Sequence, residues 1–318
     1  MMSALIGYSG FVGSNLLEQK DFDFLYNSKN IGDIRNKHFD LVVCAGVSAT
    51  KWLANQNPEE DLLKIQGLID HLQSVTAENF VLISTVDVYD FVDGVTENTL
   101  PNPALQEAYG KNRYFFEQWV SGHFKNYTIL RLPGLFGPHL KKNFIYDMIN
   151  PLPVSIIPKL WSQIIDLYMP KEQDFIEKFY QIDSSGNRVL QFISDFKMRS
   201  QLQALLSKQH ISSLIFTDAR SCFQFYPLKF LLKDIEWAMH QDIKLLNLAV
   251  EPISAEDLFF YLMGTRFVNQ IKGKSPLFYN MKSTYDQIFG GAGGYLYSRD
   301  LILQEIKGFF VGQRGAVQ

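Results

Sequence analysis

The sequence predicts an α/β protein built on a doubly wound parallel sheet, together with a smaller, mostly helical lobe. Three observations predict this class. Short apolar runs alternate with helix-type patterns through the first half of the chain. The clearest run, residues 39–46, is apolar almost throughout, as expected for a strand that is buried on both faces of a parallel sheet. A glycine-rich loop separates the first apolar run from the first helix-type pattern.

The composition is that of an ordinary globular protein. Of the 318 residues, 47% are hydrophobic and 20% are charged, and the formal net charge is −3. This charge gives no reason to expect a nucleic-acid partner. The apolar runs are too short to cross a bilayer, and the two cysteines lack metal-ligand spacing. We therefore expect a reduced, cytoplasmic protein with no leader peptide, membrane partner or bound metal.

The opening segment has the order of a strand, a tight turn and a helix start. Its glycines can provide the sharp turn, the close approach of a diphosphate to the backbone and the close packing of helix on strand. The helix start attracts the anion through its exposed amides and its dipole. We therefore predict a dinucleotide site rather than a plain turn. The residues assigned to it are Gly7, Ser9, Gly10, Phe11, Val12 and Gly13.

A second strand is predicted at 22–26, and it ends in the polar segment 27–30. An NAD-preferring fold carries an acid near this point to bind the ribose hydroxyls, and no acid stands at this strand end. Ser28 and Lys29 could instead accept a 2′-phosphate, which favours NADP slightly over NAD. A plain polar turn explains the segment equally well.

The alternation continues to about residue 148. Further strands are predicted at 39–46, 80–85 and 127–131, and helices at 58–74 and from Tyr109 to Val120. Hydroxyl and carboxyl groups cluster just after the strand at 80–85. Since doubly wound sheets bind their ligands at the carboxyl ends of their strands, this cluster is a candidate site.

A series of short motifs then follows in a characteristic order. These are Gly7-x-x-Gly10-x-x-Gly13, Gly32-Asp33-Ile34, Ala45-Gly46, Ser84-Thr85-x-x-Val88-Tyr89, Tyr109 and Arg131-x-Pro133-Gly134-x-x-Gly137-Pro138. Together they resemble the extended short-chain dehydrogenase/reductase family, which contains nucleotide-sugar epimerases, dehydratases and reductases. The resemblance covers about 3–148 and resumes loosely near 223.

The resemblance implies a Rossmann-like fold that binds NADP or NAD. In such a fold one pair of residues contacts the adenine, a second lines the cofactor groove and a third lies beside the nicotinamide. By position these pairs are Asp33 and Ile34, Ala45 and Gly46, and Pro133 and Gly134.

The resemblance also implies a small-molecule substrate, most readily a nucleotide-sugar. Asn143 resembles the asparagine that holds the substrate diphosphate, and Ser84 is a second candidate for substrate binding. A homodimer formed through the helices near 58–74 and 107–122 is implied in the same way.

Tyr109 is the candidate acid/base. Reduction of a carbonyl leaves an alkoxide that must receive a proton, and the reverse reaction needs a base. A tyrosine can do both when nearby positive charge brings its pKa towards neutrality. Thr85 would supply the hydroxyl that orients the substrate oxygen.

Arg113 stands one helical turn after Tyr109, where the resemblance implies a lysine. An arginine is cationic at any working pH and can lower the Tyr109 pKa, but it cannot release a proton as a lysine can. Two functions therefore stay open. The first is an NAD(P)-dependent reductase or epimerase acting on a sugar or nucleotide-sugar carbonyl or alcohol. The second is a cofactor-binding sensor or scaffold that lost turnover with the lysine.

Asp87, two residues past Thr85, completes the catalytic candidates. In dehydratases that resemble this pattern, an acid at this position moves protons. Val86 stands where those enzymes carry a further acid, which argues against full dehydratase chemistry. An aspartate at a strand end is also a common turn former.

The predicted domain organisation has four parts. The cofactor-binding domain covers 1–148, a helical substrate lobe covers 149–222, the chain returns to the sheet at 223–250, and 251–318 completes the lobe. Helices in the lobe are predicted around 161–165, 175–180 and 190–206. Ser254 is predicted to cap a helix whose third residue is Asp257.

Overall fold

The computed structural model describes residues 2–316 as strands, helices and connecting loops. The strands are β1 (Ser3–Ile6), β2 (Phe24–Tyr26), β3 (His38–Cys44), β4 (Thr76–Thr85), β5 (Tyr127–Leu132), β6 (Gly134–Phe136), β7 (Ser155–Ile156), β8 (Tyr180–Ile182), β9 (Arg188–Leu190), β10 (Cys222–Phe223), β11 (Phe225–Pro227), β12 (Leu245–Asn247) and β13 (Ile253–Ser254).

The α-helices follow the strands in alternation through the first part of the chain. They are α1 (Phe11–Leu17), α2 (Lys51–Gln56), α3 (Pro58–Leu72), α4 (Ala108–His123), α5 (Phe144–Ile149), α6 (Pro158–Ile165), α7 (Pro170–Glu177), α8 (Phe196–Lys208), α9 (Leu231–His240), α10 (Ala255–Met263) and α11 (Arg299–Ala316).

The main sheet has six parallel strands in the order β2-β1-β3-β4-β5-β12. The predicted doubly wound α/β class is therefore confirmed. Strand β1 lies between β2 and β3, because Ile6 pairs with both Tyr26 and Cys44. The chain leaves β1 to one side and returns on the other, so the carboxyl end of β1 is a topological switch point, where such sheets bind ligands.

Helices α3 and α4 pack in one apolar core with the strands of this sheet. Ile65 and Ile69 of α3 share the core with Phe116 of α4 and with Phe39 and Phe80 of the neighbouring strands β3 and β4. The apolar residues recur three and four positions apart along α3, which gives the helix one buried face. This packing fixes the start of α4 relative to the end of β4.

The described residues divide into two compact units. The first comprises 2–140, 222–253 and 278–309, and the second comprises 141–221, 254–277 and 310–316. The predicted organisation gave all of 251–318 to the lobe, whereas residues 278–309 belong to the sheet-containing unit. Backbone bridges explain the difference, because Asp93 pairs with Asn280, and Val250 pairs with Tyr297.

The second unit is mainly helical but also contains a small antiparallel sheet, β7-β9-β8, which the sequence analysis did not predict. Consequently the helix expected at 190–206 is wrong in its first part. Strand β9 ends at Leu190, and helix α8 begins only at Phe196, after Asp195 caps it by accepting bonds from the backbone of Lys197 and Met198.

The cap predicted for α10 is confirmed. The Ser254 hydroxyl accepts a hydrogen bond from the Asp257 amide at 3.0 Å. By contrast, α2 was not predicted at all, because it is short and carries few apolar residues.

Candidate cofactor and catalytic site

The loop between β1 and α1 has a backbone that only glycine permits at two positions. Gly7 has a φ of +83°, and a Cβ there would overlap the carbonyl oxygen of Ala45. A Cβ at Gly13 would overlap the carbonyl of Gly7. The third glycine therefore lets α1 lie directly against the loop, as the spacing predicts.

The remaining loop residues form the exposed side of this turn. Ser9 and Gly10 are exposed, and Phe11 and Val12 begin α1 half-buried. Gly10 precedes the helix without a side-chain cap, and the first turn of α1 contains no acidic residue. A bound anion at this corner would face the positive end of the α1 dipole. No acidic side chain in the first turn of α1 would repel it.

The segment after β2 lies beside the glycine loop, because the Gly7 amide donates to the Tyr26 carbonyl at 2.7 Å. Ser28 and Lys29 are exposed at this strand end. The backbone between them is also a hydrogen-bonded polar turn, in which the Lys29 amide donates to Asn27 Oδ1 at 2.9 Å. Both interpretations of the segment therefore agree with the geometry.

Asp33 and Ile34 end a 3₁₀ turn that follows. Asp33 is exposed, whereas the Ile34 side chain is fully buried in the core of the sheet unit. The adenine contact expected from Ile34 is therefore wrong for its side chain, which packs against other apolar residues.

The residues predicted to line the cofactor groove and those predicted to lie beside the nicotinamide are at strand ends of the same unit. The Ala45 amide donates to the Ile6 carbonyl at 2.9 Å, and a Cβ at Gly46 would lie 2.8 Å from Ile6 Cγ2. Pro133 is buried, and Gly134 is exposed in β6, where a Cβ would lie 2.8 Å from the Gln224 carbonyl. These close approaches explain the small residues at both positions.

Tyr109 lies in the first turn of α4 and is 8% exposed. Its amide donates to Asn55 Oδ1 at 2.9 Å, and its phenol lies close enough to the Thr85 side chain for Thr85 to lower the pKa of the phenol. The contact is possible because Gly110 lies against the backbone of Asp87, where a Cβ would overlap the carbonyl oxygen. The structure thus brings Tyr109 and Thr85 together, as their assigned roles require.

Arg113 lies over the face of the Tyr109 ring, with its guanidinium carbon 3.9 Å from the ring centroid. It is held there by Asp61, with bonds of 2.5 Å from Nη1 and 3.0 Å from Nη2, and by the Ser48 carbonyl at 2.6 Å from Nη2. Both Arg113 and Asp61 are buried. Arg113 is therefore a fixed cation beside the ring of Tyr109.

The pKa of the Tyr109 phenol is raised above 10, so the expected shift towards neutrality is wrong for the protein without ligands. Burial raises it most, and the charge of Arg113 opposes this. The Asp87 carboxylate raises the pKa further, and the Thr85 hydrogen bond and Lys51 lower it. The phenol is consequently protonated at neutral pH.

Asp87 is bound to a lysine that sequence reasoning did not single out. Lys51 Nζ, at the start of α2, lies 2.8 Å from Asp87 Oδ1 and 3.6 Å from Glu107 Oε2. The Asp87 amide donates to Thr85 Oγ1 at 3.2 Å, so Asp87 and Thr85 form a local turn as well. A further phenol, Tyr279, lies close enough to Lys51 for this cation to lower the pKa of the phenol.

Burial is the main cause of a raised pKa at Tyr279. The negative charge of Asp87 adds to it, and Lys51 lowers it. Two phenols therefore lie close to one Lys51–Asp87 ion pair.

Ser84 has a different environment from Thr85. Its hydroxyl donates to Glu117 Oε1 at 2.5 Å, and Glu117 forms a buried ion pair with Arg131, whose Nη2 lies 2.5 Å from Oε2. The substrate contact predicted for Ser84 finds no support in this geometry, because successive strand residues point to opposite faces of the sheet.

Asn143 belongs to the second unit, where it begins α5. Its side chain accepts a hydrogen bond from the Tyr146 amide at 3.1 Å. In this structure it acts as a helix cap, and its assigned contact with a diphosphate stays a prediction.

Sequence reasoning missed Lys51, Asn55, Asp61 and Tyr279. Lys51 had a usable signal, because it follows β3 by a few residues and so lies near the carboxyl edge of the sheet. Tyr279 had none, since it is far along the chain from the residues it contacts.

Residues 21–157 match the NAD dependent epimerase/dehydratase family. Over this segment, which is less than half of the 318 residues, the chain is similar to that family. The matched segment contains Thr85, Asp87, Tyr109 and Arg113, and it begins after the glycine loop. No curated protein matches the chain in sequence.

Solved structures share the fold across nearly the whole chain. RMD from Pseudomonas aeruginosa, complexed with NADPH, is 14% identical with a TM-score of 0.63 and covers 99% of this chain and 100% of its own. MoeE5 in complex with UDP-glucose and NAD is 14% identical with a TM-score of 0.59 over 100% of both chains.

A dTDP-4-dehydrorhamnose reductase from Clostridium acetobutylicum is also 14% identical, with a TM-score of 0.60 over 98% of this chain and 100% of its own. Identities this low establish a common fold.

Residues 2–316 contain neither a membrane-spanning helix nor a cluster of metal-ligating side chains. Among these residues no helix has the length and apolar character needed to span a membrane. Within the same range, no three His, Cys, Asp or Glu side chains are grouped as metal ligands would be.

Proposed function

We propose that this protein is an NAD(P)-dependent reductase or epimerase that acts on the carbonyl or alcohol of a sugar or nucleotide-sugar. One observation carries the proposal. The protonated Tyr109 phenol lies beside the Thr85 side chain at the end of β4, close enough for Thr85 to lower its pKa, in the same sheet unit as the glycine cradle. The family match over residues 21–157 and the cofactors named for the structural neighbours support it.

The residues around the glycine loop fit a dinucleotide. The diphosphate would lie at Ser9, Gly10 and the start of α1, where the absence of a Cβ at Gly7 and Gly13 permits the tight turn. Lys29 and Ser28 would bind a 2′-phosphate, which again favours NADP slightly. When bound, the nicotinamide supplies the reducing equivalent for a carbonyl carbon.

The chain's own residues supply the proton. Because the Tyr109 phenol is protonated at neutral pH, it can donate to the developing alkoxide as a general acid. Thr85 orients the substrate oxygen, and Arg113 stabilises the phenolate that remains, since its charge lowers the Tyr109 pKa. Reduction is therefore the direction this resting state favours.

A nucleotide-sugar is the proposed substrate. The support comes from the neighbour that was solved with UDP-glucose, from the dTDP-sugar reductase and from the family match. Asn143 is the proposed ligand of the substrate diphosphate, and α3 and α4 are the proposed dimer helices. The comparisons give no support to a non-catalytic sensor or scaffold.

The deciding experiment replaces the phenol and keeps the ring. Tyr109→Phe is expected to bind NADPH within about 2-fold of the wild-type affinity, measured by calorimetry, because the cradle is untouched. Oxidation of NADPH with a panel of nucleotide-sugar ketones should fall by roughly 100-fold or more, as loss of a general acid does.

The matched control is Tyr114→Phe, which removes a half-buried phenol from the same helix and should retain turnover. Wild-type protein that bound NADPH and reduced none of the ketones would contradict the reductase proposal. Wild-type protein that bound neither NADPH nor NADH would contradict cofactor use altogether.

A further inference from the structure

Lys51 is the cation that faces the polar edge of the Tyr109 site. Its ammonium lies 2.8 Å from Asp87 Oδ1, and it also contacts Glu107 and Tyr279. The Asp87 side chain is 19% exposed, so water screens its charge only partly. An unpaired carboxylate in this position would act strongly on neighbouring ionisable groups.

Helix α2 is tied to the phenol by a second contact. Asn55 accepts the hydrogen bond from the Tyr109 amide, and it stands four residues after Lys51, on the same face of α2. The two side chains therefore reach the start of α4 together. This arrangement gives Lys51 a fixed place relative to Tyr109 and Asp87.

Arg113 cannot neutralise Asp87. Its two terminal nitrogens are bound to Asp61, the Ser48 carbonyl and the Tyr109 carbonyl, and its plane covers the Tyr109 ring. A guanidinium that is held in this way already forms its ion pair with the Asp61 carboxylate. Asp87 thus depends on a different residue for its counter-charge.

We propose that Lys51 is a positioning residue for Tyr109, whose ammonium holds the Asp87 carboxylate in an ion pair and keeps that negative charge from opposing ionisation of the phenol. The proposal rests on Tyr109 acting as the acid/base of the proposed function. A lysine therefore does lie near Tyr109, but it is carried on α2. The position one helical turn after Tyr109 holds Arg113 instead.

Several charged and titratable groups face the phenol or its partners. They are Arg113 of α4, Glu107 just before α4, Asp61 of α3, Asp87 after β4, Lys51 of α2 and Tyr279 from the segment before Met281. Although burial lowers the pKa of Lys51, the charge and hydrogen bond of Asp87 raise it above its ordinary value, so Lys51 stays protonated. Its role is therefore to hold charge, and it does not relay a proton.

The test measures ionisation of the phenol at position 109 directly. A difluorotyrosine, whose phenol ionises at lower pH, is incorporated at this position, and its pKa is followed by ¹⁹F NMR in the protein without nucleotide. Lys51→Met should raise that pKa by about one unit, and Asp87→Asn should lower it, in line with the effect of a nearby charge. The double variant Lys51→Met/Asp87→Asn should return close to the pKa of the unsubstituted background.

This cycle separates positioning from simple structural support. If Lys51→Met acted only through lost packing, its effect on the pKa of the phenol would not disappear when Asp87 is neutralised as well. Lys51→Arg keeps the charge and should leave the pKa within about 0.3 units of the background, since it can still pair with a carboxylate. Lys244→Met breaks the Lys244–Asp242 pair, which lies outside this cluster, and is the matched control that should change nothing at position 109.

Two results would overturn the inference. The first is an unchanged pKa in Lys51→Met, and the second is a double variant that keeps the pKa of Lys51→Met. If Lys51→Met does not fold, Lys51→Gln takes its place in the cycle, with the same expected rise in the pKa and the same return in the double variant with Asp87→Asn. None of these readouts needs turnover or nucleotide, so failure of this inference and failure of the proposed function are distinguishable.

Discussion

At the residue scale, the glycines of the first loop show how a missing side chain permits a tight turn between a strand and a helix. Gly7 adopts a left-handed backbone, and Gly13 meets the Gly7 carbonyl at a distance that leaves no room for a Cβ. Composition does not predict these two features, but the order of a strand, a tight turn and a helix does. The sequence therefore predicted the backbone of this loop, and its contact with a dinucleotide stays a prediction.

Gly13→Ala tests the cradle. The added methyl group would overlap the Gly7 carbonyl, and overpacking of this kind costs about 1–3 kcal/mol. We expect a lower melting temperature and at least roughly 10-fold weaker NADPH binding by calorimetry, because about 1.4 kcal/mol corresponds to a factor of ten.

The control for this variant is Gly67→Ala. A Cβ at Gly67, within α3, would meet nothing within 4 Å, so alanine should stabilise the helix by about 0.5–1 kcal/mol and leave NADPH binding unchanged. Wild-type affinity in Gly13→Ala would show that the loop does not bind the diphosphate.

Arg113 shows why charge alone is an incomplete description of a residue. The sequence indicated a cation one turn after Tyr109, and this part of the prediction agrees with the structure. Its planar fork binds Asp61 through two nitrogens and covers the aromatic ring, which an ammonium group does not do. The arginine is thus suited to a fixed place over the ring of Tyr109.

At the element scale, the start of α4 is positioned by its contact with the turn after β4. Gly110 faces the Asp87 carbonyl, and Tyr109 and Thr85 meet only because these two backbones approach so closely. The sequence predicted both elements, but the approach between them depends on how α3 and α4 pack on the sheet.

Gly110→Ala should separate these two elements. The new methyl group would overlap the Asp87 carbonyl and push α4 away from Thr85. A displacement of about 1 Å can cost roughly 100-fold in turnover, so we expect kcat for ketone reduction to fall by that order while NADPH affinity stays near wild type.

Gly122→Ala, in the same helix, is the matched control, because a Cβ at Gly122 would meet nothing within 4 Å. Equal kcat values for Gly110→Ala and Gly122→Ala would contradict the view that this approach positions the phenol.

At the scale of the whole molecule, stability also depends on ionisable groups outside the cluster around Tyr109. Burial raises the pKa of Asp147, in α5 of the second unit, from its ordinary 3.8 to about 7. The unfolded chain releases this proton near pH 4 and the folded chain near pH 7. The folded state therefore binds more protons in this window, and stability falls as the pH rises through it.

Asp147→Asn should remove this dependence. We expect little difference from wild type near pH 4 and a gain that grows until about pH 7 and is then constant, bounded by about 4 kcal/mol because one pKa unit corresponds to about 1.4 kcal/mol. Unfolding midpoints in urea, measured from pH 4 to 8, check the prediction. Asp174→Asn, an exposed carboxyl on α7, is the control that should show no such window.

The sequence by itself determined the features that depend on local spacing. The glycine loop, the alternation of strands and helices, and the places of Thr85 and Tyr109 at element ends all follow from patterns within a few residues. Backbone geometry and burial of apolar faces act at this range, so a single sequence is sufficient to predict them.

Only the tertiary structure decided which side chains meet. Lys51 and Asp87 are 36 residues apart, Arg113 and Asp61 are 52 apart, and Ser84 and Glu117 are 33 apart. These pairs form because separate helices and strands bury their apolar faces against one sheet, which brings distant polar groups within bonding distance. The ionisation of Tyr109 depends on these contacts, and for this reason its pKa could not be inferred from the residues near it in sequence.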